Sequence, residues 1–261
     1  MKWRPSEPSE GEIHTEIPDK MITWAHNNGK TVRGHALLWA KRSNNPDWVQ
    51  NLYGEDLKTA VFKRLDFAVK HYEQYNVPHW DVINEMVNEG AENHTFFLDH
   101  TGDPNIRAEI FKYVKELSPD TLFFVNDYGI ILNNYGRFPL YQQQIRELLA
   151  AGMYVYVIFF REINFTKNFR DNDFTEKNNF QGAPIDAIGL QSHLHGQERV
   201  DINAIKYHVD LLWEEFKLPI WVTEFDWNAD KSVDFGDHSY HAEQLENFYR
   251  LMFSHEVSIS K

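Results

Sequence analysis

Apolar and polar positions along the chain follow two periods that take turns. Five short segments are apolar on both faces: 31–39 (TVRGHALLW), 79–84 (HWDVIN), 121–127 (TLFFVND), 185–191 (IDAIGLQ) and 219–224 (PIWVTE). Runs of this kind read as strands covered on both sides. Between them lie helical stripes. Residues 17–28 have Pro18 near the start and Gly29 beyond the end. Residues 55–74 place Leu57, Val61, Leu65, Ala68, Val69 and Tyr72 on one face. Further helices are expected near 104–117, with Asp103 as N-cap, and over 139–151, 201–217 and 241–253. Five strand-then-helix units in series predict a parallel sheet with crossover helices.

A doubly wound sheet and a barrel share that alternation. The strand ends separate them. Polar residues stand at the C-terminal end of every strand: His35 and Trp39, Asn84 and Glu85, Asn126 and Asp127, Gln191 and His193, Glu224 and Asp226. A barrel converges all these ends on one face. A doubly wound sheet gathers them at one switch point, commonly with a glycine-rich phosphate loop. No G-x-G-x-x-G follows any strand. The pattern favours the (β/α)8, or TIM, barrel.

Composition narrows the chemistry. The 261 residues are 42% hydrophobic, enough for one large core. The net charge is −13 and no run of Lys or Arg occurs, which argues against nucleic acid. No apolar run is long enough to span a bilayer. There is no cysteine, so disulfides, thiolate metal sites and cysteine nucleophiles are excluded. Aromatic residues make up 15% of the chain, with 8 Trp and 12 Tyr, side chains that can stack on sugar rings and that also fill cores. Glu85 and Glu224 end two different strands of one expected barrel. Opposed carboxylates are the machinery of glycoside hydrolysis, although two glutamates at strand ends could also be rim residues of unrelated loops.

TVRGHALLW, WDVINE, FFVNDYG, IDAIGLQSHLH and WVTEFDW occur in that order. Together they resemble glycoside hydrolase family 10, the endo-β-1,4-xylanase family, over most of the chain. The RGHALLW and NPDWV stretches are closer to animal and plant members. The resemblance implies a retaining endo-β-1,4-glycanase acting on xylan, with cellulose-like glucan as the neighbouring substrate. It implies no metal and no organic cofactor, a polysaccharide partner, a monomer, and secretion of the full-length parent. A non-catalytic carbohydrate-binding barrel is the reading from a different class. By the same resemblance Glu85 is the general acid/base and Glu224 the nucleophile. His193 and Asp226 support the nucleophile, and Asn84 reaches the sugar 2-hydroxyl. Gln191 lies beside both carboxylates, and Lys2, His35, Trp39 and Asn126 line the sugar subsites.

The chain departs from the family pattern in several places. It opens at Lys2-Trp3, where the resemblance puts the end of the second strand, and it stops before an eighth. The expected barrel is therefore incomplete: the first strand, most of the second and the eighth are missing, leaving open edges and exposed apolar surface. Residues 1–261 are expected to be a family 10 catalytic-domain fragment. Residues 153–181 interrupt it with a stretch rich in Phe, Asn and Lys that fits no neighbouring element, and read as an insertion, such as a translated intron. After Trp39, Ala40, Lys41 and Arg42 replace residues suited to sugar contacts.

Overall fold

The computed structural model describes residues 1–87, 94–151, 182–194, 200–227 and 239–255. The helices are α1 (Trp3–Ser6), α2 (Glu16–Asn27), α3 (Gly54–Glu73), α4 (Phe96–Thr101), α5 (Ile106–Leu117), α6 (Arg137–Ala150), α7 (Ile202–Phe216) and α8 (Ser239–Ser254). The strands are β1 (Arg33–Gly34), β2 (Leu38–Trp39), β3 (His79–Asn84), β4 (Leu122–Tyr128), β5 (Ala187–His193) and β6 (Ile220–Asp226). Every pairing is parallel, in the order β1-β3-β4-β5-β6, with β2 also on β3. Among the described residues this is an open parallel sheet, an incomplete (β/α)8 barrel whose strand C-termini share one end.

The helical stripe of α3 is the clearest case of sequence becoming structure. Leu57, Val61, Leu65, Ala68, Val69 and Tyr72 are all buried. β3, β4 and β5 are buried along nearly their whole length, as strands covered on both faces must be. Asp201 caps α7 by accepting from the backbone N–H groups of Asn203 at 2.9 Å and Ala204 at 3.2 Å. α2 carries exposed apolar surface: Ile17, Met21 and Trp24 are about two-thirds exposed or more.

Two expectations need correction, and one helix gives no signal in the sequence. The strand at 31–39 is not continuous: it breaks between β1 and β2, with a cis peptide bond at His35–Ala36. Asp103 does not cap α5: the helix begins at Ile106 with Asn105 at the N-cap, and Asp103 Oδ1 accepts from Asn105 N–H at 2.8 Å in the turn that precedes it. α4 was not foreseen, since six residues are too few to show a period, yet it buries Phe96 and Phe97. The proposed insertion at 153–181 lies outside the described residues. Its flanks meet: Ala183 N–H donates to the Leu148 carbonyl at 2.8 Å, and a Cβ on Gly182 would stand 1.8 Å from the Leu149 carbonyl oxygen.

Two irregularities aim side chains at the shared end. The β3–β4 register shifts between Asp81 and Asn84, and the β5–β6 register shifts between Leu190 and Gln191. Bulges re-aim the residues that follow them, and here those are Asn84 and Gln191.

Gly34 marks a close approach of β1 to β3. A Cβ there would lie 2.2 Å from Cδ2 of the buried Trp80. Gly34→Ala should therefore lower stability by about 1–3 kcal/mol through overpacking. Urea unfolding measures this, and an unchanged midpoint would contradict the contact.

Candidate active site

Asn84 is fully buried where β3 ends, and its amide orientation is imposed by two strands. Its Oδ1 accepts from Nδ2 of Asn126 on β4 at 3.0 Å and from Nε2 of Gln191 on β5 at 3.2 Å. With both donors on the oxygen, the Asn84 NH2 group must face elsewhere, and it has no hydrogen-bond partner among the described residues. Asn126 is fixed in turn by Thr223 of β6, whose hydroxyl donates to Asn126 Oδ1 at 2.6 Å. Gly189 makes this possible, because a Cβ there would stand 2.5 Å from the same oxygen. Asn126, expected to line a sugar subsite, is 1% exposed, much as Asn84 is at 0%, and its amide is held between Asn84 and Thr223.

Glu85 follows directly. Its Oε2 accepts from Trp39 Nε1 at 2.9 Å and its Oε1 from Gln191 Nε2 at 3.3 Å. Gln191 thus bridges Asn84 and Glu85. Trp39 carries two further neighbours: His35 packs edge-on at 5.4 Å and the Lys2 ammonium lies 4.5 Å over its ring. His35 is oriented from below, with Nδ1 2.8 Å from Asp81 Oδ2. Asp81, fully buried inside β3, also forms an ion pair with Arg33. A carboxylate in an apolar strand needs such partners. That charge within WDVIN is the sequence signal for the His35–Asp81–Arg33 group.

Glu224 stands opposite Gln191 in the β5–β6 register. Its Oε2 lies 3.2 Å from His193 Nε2, and His193 Nδ1 lies 2.8 Å from Asp226 Oδ2. One imidazole therefore bridges two carboxylates of the same strand. The other Glu224 oxygen, Oε1, is buried and has no hydrogen-bond partner among the described residues.

Asp127 and Arg137 form a further charged pair just behind the cluster, at 2.6 Å, with 1% and 0% of their side chains exposed. Burial pushes Asp127 up to about 6, against the pull of Arg137 and of the Val87 N–H. Asp127 had appeared only among the polar strand ends, and Arg137 carried no local signal, because their pairing depends on α6 folding back over β4.

A parallel α/β sheet with its polar residues gathered at the strand C-termini is the layout of the (β/α)8 barrel enzymes. More narrowly, the chain belongs to glycosyl hydrolase family 10, whose model matches residues 1–161 and 165–260. An anti-sigma-I factor, RsgI6, of Acetivibrio thermocellus is 32% identical over 97% of this chain and 27% of its own length. Endo-1,4-beta-xylanase 3 of Hypocrea jecorina is 29% identical over 75% of this chain and 47% of its own. The chain thus spans less than half the length of either relative. The family 10 structure from Paenibacillus barcinonensis superposes with a TM-score of 0.74 over 97% of this chain and 69% of its own, at 24% identity. An intracellular xylanase of Thermoanaerobacterium saccharolyticum, solved with xylotriose, gives 0.71 over 96% and 70%, at 23% identity. At these identities the superpositions establish the fold.

Asp127 gives a pH signature. Its unfolded value is about 3.9 and its folded value about 6. Between the two, the folded state holds a proton that the unfolded state has lost, so this group's contribution to stability falls as pH rises from about 4 to 6. Arg137, Arg107, Tyr141 and Glu85 are the titratable groups coupled to it. Relative to Asp127→Asn, the wild type should lose up to about 3 kcal/mol across that window. Denaturant unfolding at pH 4 and pH 7 measures it, and a pH-independent difference would count against the buried carboxyl.

Proposed function

We propose that this domain is a retaining endo-β-1,4-xylanase in which Glu85 is the general acid/base and Glu224 the nucleophile. The observation that carries the reading is the pattern of occupied and unoccupied polar atoms. Gln191, Trp39 and His193 hold both oxygens of Glu85 and one of Glu224. What remains is the Glu224 Oε1 acceptor and the Asn84 NH2 donor. A carboxylate oxygen to attack an anomeric carbon and a donor for the neighbouring 2-hydroxyl are what a retaining glycosidase presents to its sugar.

In the first step Glu85 gives its proton to the glycosidic oxygen while Glu224 Oε1 attacks the anomeric carbon, forming a covalent glycosyl-enzyme. Glu85 then takes a proton from water, which hydrolyses that intermediate. Retention requires the two carboxyl groups to stand about 5–5.5 Å apart. The His193–Asp226 pair orients Glu224, and Lys2, His35 and Trp39 form the wall against which the attacked sugar rests. The name of the Hypocrea relative, an endo-1,4-beta-xylanase, supports xylan as the polymer. A second reading is a barrel that binds glycan without cleaving it, and one matched relative carries a name, anti-sigma-I factor, that is not that of a hydrolase.

Turnover separates the two. The chain should release reducing ends from β-1,4-xylan faster than from β-1,4-glucan. Glu85→Gln and Glu224→Gln should each lower that rate by about 10²-fold or more. An activated aryl xyloside should partly restore bond cleavage in Glu85→Gln, because a good leaving group needs little protonation, and should not restore it in Glu224→Gln. Binding of xylo-oligosaccharide without turnover by the wild type would establish the binding-only reading instead.

A further inference from the structure

We propose that Asp127 is a positioning residue for Glu85: its carboxylate, locked by Arg137, holds the backbone turn that presents the Glu85 carboxyl to the cleft. This rests on the reading of Glu85 as the general acid/base. Glu85 has a φ of +57°, a left-handed conformation that a side chain longer than Asn or Asp rarely adopts. Such a conformation persists only where surrounding contacts over-determine it.

Those contacts are specific. Glu85 N–H donates to the Asn126 carbonyl at 2.9 Å, and the Glu85 carbonyl accepts from His94 Nδ1 at 2.7 Å. Two residues on, both peptide groups of Val87 are held by one ion pair. Val87 N–H donates to Asp127 Oδ2 at 2.8 Å, and Arg137 Nη2 donates to the Val87 carbonyl at 3.3 Å and to Asp127 Oδ1 at 2.6 Å. The pair is fixed to β4 in its turn: Tyr128 N–H donates to Asp127 Oδ1 at 2.9 Å, Arg137 Nε donates to the Tyr128 carbonyl at 2.9 Å, and the guanidinium stacks 3.8 Å over the Tyr128 ring. Trp39 and Gln191 aim the carboxyl, whereas Asp127 and Arg137 fix the main chain on which it turns. A buried ion pair is a poor device for stability alone, since an apolar pair of the same volume often serves as well. Its placement on the peptide groups just after Glu85 gives it a use that an apolar pair could not supply.

The test is Asp127→Asn in the 261-residue chain, assayed on aryl β-xylobiosides whose leaving groups run from dinitrophenol to unsubstituted phenol. A displaced general acid costs most where protonation of the leaving group matters most, and general acid catalysis contributes about 10²–10⁴-fold. The expected result is a loss in kcat/KM below about 3-fold on the dinitrophenyl substrate and above about 30-fold on the phenyl one. In parallel, the Glu85 backbone chemical shifts and HN–Hα coupling should leave their left-handed values. An equal loss across the series, or Glu85 shifts unchanged from wild type, would overturn the proposal. If Asp127→Asn fails to fold, Arg137→Lys keeps the charge but loses the fork that reaches Val87 and Tyr128, and the same leaving-group-dependent loss is expected. A wild type that cleaves no xyloside at all would refute the acid/base reading of Glu85, and the NMR comparison would still decide whether Asp127 holds that turn.

Discussion

One acceptor atom, Oδ1 of Asn84, takes hydrogen bonds from two neighbouring strands, and the rest of the site is arranged around it. The bonds from Asn126 and Gln191 tie β3, β4 and β5 together at the level where their chemistry begins. Because the strands are parallel, every C-terminus arrives at that level, and a register error of one residue would turn each of these side chains to the other face. The two bulges place Asn84 and Gln191 at that height. In a site of low dielectric an amide oxygen shared between two donors is a firm anchor, whereas a half-satisfied one would be costly. Glu85 and Glu224 then differ by what surrounds them: an amide and an indole on one side, an imidazole backed by a second carboxylate on the other.

Beneath this layer the interior carries charge. Asp81 with Arg33, and Asp127 with Arg137, are buried carboxylate–guanidinium pairs, each answered by backbone or imidazole groups. Each carboxylate contacts a group at the site, His35 in one case and the Val87 N–H just after Glu85 in the other. Removing one partner would leave an uncompensated buried charge, so these residues tie the fold's stability to the geometry of its site.

The fold class was readable in the sequence because burial imposes a local signature. The α3 stripe and the continuous apolar strands leave few other ways to satisfy their periods, and a carboxylate at the end of such a strand is conspicuous. The motif resemblance then paired Glu85 with Glu224, a step that spacing alone would not license. What stayed hidden depends on distant partners. Val87 and Asp127 are 40 residues apart, and Arg33 and Asp81 are 48 apart. Nothing local in Arg137 announces that it will cover β4. The break in 31–39 and the inward turn of Asn126 are likewise set by neighbours across the sheet, by Trp80 against Gly34 and by Thr223 against the amide.

The contact between Leu148 and Ala183 has a consequence for how such a chain can change over time. The two residues are joined by a backbone hydrogen bond, so the end of α6 and the approach to β5 meet at a single point, on the end opposite the strand C-termini. The entropy of closing a loop between fixed, adjacent ends grows only with the logarithm of its length. Sequence can therefore accumulate at this junction at little thermodynamic expense, away from the strand C-termini where the candidate catalytic residues stand. It is a tolerant seam, where a lineage could graft a new segment while selection continues to act on the other face.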